Sequence, residues 1–216
     1  MKYIFYDLGA FNGEESFNMR KIFQELNIEQ YEIHTFEPCT DSYNNVKKLL
    51  SVLEDSRVHV HQLAISNKNM DIPLYYSFPG NEVGHSIFAS KNNVDSNKYE
   101  MVKGVKFSDW LKENVSDLET SFNILKFNIE GAEYFLLKEL IDTGLLKYFK
   151  IICGDPYDVL KIGDLQGRIN SHNENIKKIF EHLKMEIFSF STQSNNLKEI
   201  EDMNKKMKEL LLNANQ

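Results

Sequence analysis

Residues 3 to 8, YIFYDL, form a nearly unbroken apolar run that stops at Gly9. This is the pattern of a strand buried on both faces in a parallel sheet. Met19, Ile22, Phe23 and Leu26 then recur at helical spacing and predict a helix from about Glu15 to Asn27. YEIHTF at 31–36 predicts a second strand, after which Pro38 breaks the chain and Thr40 to Ser42 offer an N-cap. Tyr43, Val46, Leu50 and Leu53 mark one face of the helix that follows. The alternating VHVHQLAI at 58–65 predicts a third strand, with His59 and His61 on its solvated face. Strand, helix, strand, helix, strand folds as a right-handed parallel unit.

Residues 72–107 read differently. IPLYYSF and MVKGVKF look like strands, while PGNEVGHS and KNNVDSNK look like loops, so this stretch is expected to be an excursion above the sheet. Tyr75, Tyr76 and Phe78 read as strand packing, with stacking on a sugar as the alternative. Ser108 is placed to cap the short helix DWLKENV, NILKFNI (123–129) predicts a fourth strand, and EGAEYFLLKELIDTG a helix ended by Gly144. YFKIICGD (148–155) predicts a fifth strand. Ser171 is placed to cap a helix through Ile176, Ile179, Phe180 and Leu183, and MEIFSFST predicts a last strand. From Leu197 the tail is an amphipathic helix with Ile200, Met203, Met207 and Leu210 on one stripe. Acids and lysines alternate around that stripe, which favours docking on this domain or on a second copy, as a homodimer, over lying on a membrane.

At 216 residues with 42% hydrophobic content, the chain can bury one sizeable core but not two. The expected organisation is a single domain over 1–195 followed by the helix at 196–216. The net charge of -7 leaves no basic field for nucleic acid or an anionic membrane. Two cysteines, Cys39 and Cys153, are too few for a disulfide framework and form no CxxC pair. The opening MKYIFYDLGA resembles neither a signal peptide nor a membrane span, and the expected location is the cytoplasm.

The turn after the first strand carries the chemistry. Its glycines, Gly9 and Gly13, are spaced GxxxG rather than as the dinucleotide GxGxxG, and Asp7, Glu14 and Glu15 accompany them. Three carboxylates beside the turn disfavour a pyrophosphate and suit a sulfonium or ammonium. Glu37 ends the second strand where an acid accepts hydrogen bonds from both ribose hydroxyls. Together these residues point to S-adenosylmethionine ahead of NAD.

These residues resemble the FkbM-type methyltransferases. The family's DxGAxxG is matched by Asp7, Gly9, Ala10 and Gly13, and its FEP by Phe36, Glu37 and Pro38. LAIS at 63–66 resembles its third element, VKFSDWL at 105–111 the segment before its last motif, and KFNIEGAE at 126–133 that last motif, of the form KxDxEGAE. Two positions depart from the pattern: Phe11 stands where asparagine is frequent, with Asn12 beside it, and Asn128 stands where aspartate is usual. The resemblance covers about residues 3–155. It implies an α/β fold of the class I methyltransferase (Rossmann-like) type, a doubly wound, mostly parallel sheet with helices on both faces. It also implies S-adenosylmethionine as cofactor and methylation of a hydroxyl on a sugar, glycan precursor or related small molecule. The positions assigned to the cofactor are Asp7, Gly9, Ala10, Asn12, Gly13, Ser16, Phe36, Glu37, Pro38, Ala64, Ile65 and Asn128.

Methyl transfer to a hydroxyl needs donor and acceptor held in line and a group to take the proton. Glu130 follows Asn128 by two, so an extended strand end would aim both the same way. Glu130 is the first candidate for base or substrate orienter, Asn128 stands beside the reacting centre, and His85 in a loop is a further candidate base. As a helix-start acid, Glu130 also has a purely structural reading. Lys126 reads as an ion-pair partner of Asp7 or Glu130. Asn128, Glu130 and Asp155 could hold Mg²⁺ through oxygen ligands, but with one of the three uncharged no metal is assigned. Two rivals remain: an NAD- or nucleotide-sugar-binding enzyme on a similar sheet, and a non-catalytic cofactor-binding or scaffold protein, which Asn128 keeps open.

Overall fold

Strand β1 (Tyr3–Leu8) is buried along its whole length because it has a strand on each side and helices on both faces. It pairs in parallel with β2 (Tyr31–Phe36) and β7 (Phe122–Phe127), and the five-stranded sheet runs β3-β2-β1-β7-β8, with β3 at Val58–His61 and β8 at Phe149–Gly154. The computed structural model describes residues 1–79, 84–184, 187–191 and 197–213. Among them the fold is α/β, with the doubly wound parallel sheet expected of it.

The two faces of β1 divide the core. Ile4, Tyr6 and Leu8 pack with Phe36, Leu125 and Phe127 against α3 (Phe107–Asn114), α4 (Glu133–Asp142) and α5 (Ile169–Leu183). Tyr3 and Phe5 face the other way, onto Met19, Ile22 and Phe23 of α1 (Glu14–Glu25) and Met207 and Leu211 of α6 (Leu197–Asn213). The tail stripe therefore docks on its own sheet, and the Asn18 and Asn204 amides bond across α1 and α6 at 2.7 Å. No helix among the described residues is long and apolar enough to cross a membrane.

Register decides what happens at the carboxyl end of β1. Asp7 stands level with Thr35 of β2 and Lys126 of β7. Its carboxylate meets Lys126 Nζ at 2.8 Å and accepts the Ser16 hydroxyl at 2.7 Å, and Ser16 in turn contacts the Thr35 hydroxyl at 2.7 Å. All four side chains are buried. Burial works against the Lys126 charge, but Asp7 and Glu15 outweigh it and hold the ammonium protonated.

Several expected elements come out differently. VHVHQLAI is two strands: Val58–His61 extends the main sheet, whereas β4 (Ala64–Ile65) pairs with Gly104 and Val105 in a second sheet, ordered β4-β6-β5. Alternation reports which faces are buried, not which strand is the neighbour. In that sheet β5 (Met70–Ser77) and β6 (Val94–Val105) are antiparallel, so the polar stretch from Val94 read as loop is strand. The Thr40–Ser42 cap is absent, since α2 (Thr40–Ser51) begins after Cys39 with no side-chain cap. Ser108 lies inside α3 and gives its hydroxyl to Glu139, and Ser171 lies inside α5, which grows out of a 3-10 turn at Gly163–Arg168. The last strand shrinks, among the described residues, to a parallel bridge from Cys153 to Phe188, while residues 185, 186 and 192 of that reading lie outside them.

His59 and His61 are not on a solvated face. Both are half-buried and stack on His34, with ring centroids 5.0 and 5.5 Å away, and Trp110 stands edge-on to His34 at 5.1 Å. The α3 helix covers what alternation would leave wet. Burial, together with the neighbouring His61 and His59, lowers the His34 pKa to about 3, and burial lowers that of His61 to about 4.

Two stability predictions follow from these contacts. Lys126→Met leaves Asp7 buried without its counter-charge and should cost about 3–5 kcal/mol, whereas replacing both members by apolar residues recovers most of it. Urea titration followed by fluorescence of Trp110, the single tryptophan, measures both. His34, neutral in the fold down to about pH 3, ordinarily titrates near 6.5. As pH falls below 6.5, the unfolded chain takes a proton that the folded one refuses, so stability falls. His34→Phe should remove up to about 1.4 kcal/mol per pH unit of that slope between pH 6 and 4, and an unchanged slope in pH-dependent urea titrations would dismiss this account.

Candidate functional site

The carboxyl ends of β1, β2 and β7 open onto a cleft walled on the far side by Leu63, Ala64, Ile65 and Leu74, with His85 and Ile87 above them. Ligands in doubly wound sheets bind at this edge. The turn at 9–13 forms its floor. The backbone N–H groups of Gly9 and Ala10 both donate to the Phe36 carbonyl at 3.0 Å, and Lys126 Nζ donates to the Gly9 carbonyl at 3.0 Å. Gly9 has φ +77, and a Cβ there would lie 1.9 Å from the Asn128 carbonyl oxygen, so only glycine lets β1 and β7 approach so closely. Gly13, at φ +81, leads into α1 without a capping side chain, and Asn12 Oδ1 accepts the Glu14 N–H at 3.2 Å.

Glu37 clips this turn to the end of β2. Its Oε2 accepts the Phe11 N–H at 2.8 Å and its Oε1 the Cys39 N–H at 2.9 Å. The first bond holds Phe11 at φ +51, a left-handed conformation uncommon outside glycine. Burial raises the Glu37 pKa to about 7 against the pull of the two N–H groups.

Across the cleft, β7 ends at Phe127, and residues 128–132 turn rather than extend. Asn128 and Glu130 still both line the cleft, but through a turn in which Glu130 has φ +56, not through the extended alternation expected. Among the described residues the Asn128 side-chain amide has no protein hydrogen-bond partner. The Glu130 carboxylate contacts Lys91 Nζ, and its carbonyl accepts the Ser86 hydroxyl at 2.7 Å. Burial, then the charge of Asp158, raises the Glu130 pKa to about 7, with Lys91 pulling the other way. Glu133 is fully buried and turned inward: its two oxygens accept the Gly131 and Val159 N–H groups at 2.8 and 2.6 Å, and burial raises its pKa to about 8. His85 takes the Ser77 N–H on Nδ1 at 3.0 Å.

The structure thus gathers Gly9, Glu37, Pro38, Ala64, Ile65, Asn128, Glu130 and His85 around one cleft. Asp7, Ala10, Gly13, Ser16 and Phe36 lie buried beneath it, and Asn12 ties down the helix start, so these support the turn rather than line the cleft. The acids at 7, 14 and 15 do not face a ligand either: Asp7 is paired with Lys126, Glu14 points to solvent, and Glu15 is buried. The acids of the cleft lining are Glu37 and Glu130, and among the described residues no lysine or arginine lines it. Asp155 bonds the Tyr157 N–H and does not join Asn128 and Glu130 in the lining. Among the described residues no group of three His, Cys, Asp or Glu is arranged to hold a metal.

Sequence reasoning missed Phe11, Leu63 and Leu74 in the lining and Lys91 behind Glu130. The first three are apolar residues at turn and strand positions that core packing equally explains. Lys91 is 39 residues from its partner and belongs to no motif. The cleft has a cavity volume of about 60 Å³, within about 660 Å³ of space between its walls that includes open solvent. A wider groove of about 730 Å³ between α3, α4 and residues 163–168 is away from the strand ends and carries charges of both signs.

No protein-family model and no curated protein matches the chain. Among solved structures, the fold is similar to the crystal structure of methyltransferase FkbM from Methylobacillus flagellatus KT, at 17% identity and a TM-score of 0.45. The similarity covers 79% of this chain and 37% of that one, so the chain spans little more than a third of that protein's length. A likeness of this degree does not assign a family, and the motifs alone carry the FkbM resemblance.

Proposed function

We propose that the chain is an S-adenosylmethionine-dependent methyltransferase that methylates a hydroxyl of a sugar, glycan precursor or related small molecule. One observation carries the reading: a cleft at the carboxyl ends of parallel strands is lined by two acids, Glu37 and Glu130, and, among the described residues, by no lysine or arginine. A pyrophosphate would meet Glu37 and a Glu130 already paired with Lys91, with no lysine or arginine among the described lining residues to receive it, which argues against NAD or a nucleotide sugar.

The donor set fits such a cofactor. Each Glu37 oxygen spends one acceptor site on a backbone N–H and keeps another for a hydroxyl of a ribose. Leu63, Ala64, Ile65 and Leu74 offer an apolar wall for a purine-sized ring, and the Asn128 amide has donors and an acceptor to spare. A nucleoside-sized ligand needs roughly 300 Å³ or more, so it would extend into the open part of the cleft. The bound cofactor would supply an electrophilic methyl group on sulfur. Glu37 and the turn at 9–13 hold and orient it, Asn128 hydrogen-bonds in the cleft, and Glu130 takes the proton of the acceptor hydroxyl.

Titration calorimetry with S-adenosylhomocysteine should show binding, and Glu37→Ala should weaken it by about 1–3 kcal/mol, or about 5- to 150-fold. A wild-type protein that binds NADH and not the thioether would overturn the reading. With a hydroxylated acceptor found by screening sugars and glycans for thioether release, Glu130→Gln should lower turnover by about 10²- to 10⁴-fold with affinity for the uncharged S-adenosylhomocysteine unchanged.

A further inference from the structure

We propose that Lys91 is a positioning residue of this site: from the strap at 84–92 it holds the Glu130 carboxylate turned to the cleft and favours its ionised form. The inference deepens the methyl-transfer reading and rests on it.

The geometry is specific. The Lys91 side chain is fully buried, its Nζ contacting Glu130 and donating to the Gly84 carbonyl at 3.0 Å. A buried ammonium is costly unless paired, so an apolar residue would be the ordinary occupant of this position. The same strap also grips the main chain of Glu130: the Ser86 hydroxyl donates to its carbonyl and accepts the Phe88 N–H at 3.2 Å. Behind the turn, a Cβ on Gly131 would lie 2.7 Å from Ile162 and 3.2 Å from Phe88, and Lys91 itself bridges to Ile162. Residue 130 is thus clamped by backbone and side chain at once, which is what keeps a non-glycine residue at φ +56.

The charges around Glu130 give Lys91 its task. Lys91 contacts it from the strap, Asp158 hydrogen-bonds with it and Lys161 stands near it from the turn at 158–161, and His85 and Glu37 share the cleft lining with it. Lys161 is already paired with Asp158. Burial and Asp158 favour the protonated carboxyl, and Lys91 is the cation in contact that opposes them. A protonated Glu130 could not accept the proton of a substrate hydroxyl, so the strap sets whether the carboxylate can act.

The test needs no known acceptor. In protein labelled with ¹³C at the glutamate carboxyls, the Glu130 signal, assigned by its loss in Glu130→Gln, should titrate near pH 7. Lys91→Met should move that midpoint up by about one unit or more, and Lys91→Arg should restore it. If Lys91→Met does not fold, Lys91→Gln keeps a donor for Gly84, drops the charge and is read in the same way. A folded charge-removing variant with an unmoved midpoint overturns the role of Lys91. Calorimetry with S-adenosylhomocysteine on the same samples separates the two readings. Absent binding by wild-type protein overturns methyl transfer and takes the positioning role with it, whereas intact binding with an unmoved midpoint removes Lys91 alone.

Discussion

The buried pair of Asp7 and Lys126 sets the level at which the strands of this sheet stop. Two charges taken out of water must recover a desolvation cost of several kcal/mol each. Their 2.8 Å contact does so only together with the Ser16 hydroxyl on Asp7 and the Gly9 carbonyl on Lys126. Each of those bonds belongs to a different element: β1, β7, the first turn of α1 and the glycine turn. Slipping β7 by one residue would carry Lys126 to the other face and leave both charges buried alone. The register, the entry of α1 and the position of the turn therefore stand or fall together.

The cleft inherits its order from that pair. With the turn held from below, the Phe11 and Cys39 N–H groups have one acid within reach, and Glu37 takes both. On the opposite rim the restraint comes from above, where the strap of Ser86 and Lys91 holds Glu130. Both acids are mostly buried, and burial pushes each toward neutrality. They differ in what opposes it in direct contact: backbone N–H groups at Glu37, with the Lys126 charge further off, and a cation at Glu130.

What was legible in the sequence is what periodicity and local chemistry encode. β1, α1, β2, β7 and β8 came within a few residues because two-faced burial and helical spacing leave unmistakable runs, and FEP and EGAE placed Glu37 and Glu130 at the strand ends. The division of VHVHQLAI between two sheets was not legible, since the apolar residues of Ala64 and Ile65 look the same beside β2 or β6. His59 and His61 were misjudged because α3, far along the chain, supplies the Trp110 that covers them. Ser108 and Ser171 have the right chemistry for caps, but their helices start earlier, where neighbouring segments lead the chain in. Lys91 had no signal at all, being one lysine in a polar stretch until the strap folds over Glu130.

The same contrast explains why the acidity of the glycine turn does not bear on which ligand the cleft takes. Asp7, Glu14 and Glu15 were weighed as charges facing a ligand, but a carboxylate with a lysine at 2.8 Å presents almost no net field beyond its own pair. A charge in a motif counts for ligand choice only if nothing in the fold neutralises it first. By that criterion Glu37 qualifies, because its contacts are N–H groups rather than a cation, whereas Glu130 is paired with Lys91. Among the described residues, the unpaired acid in the lining is thus Glu37, and no lysine or arginine joins it there. The glycine turn contributes shape and leaves the selection by charge to its neighbours.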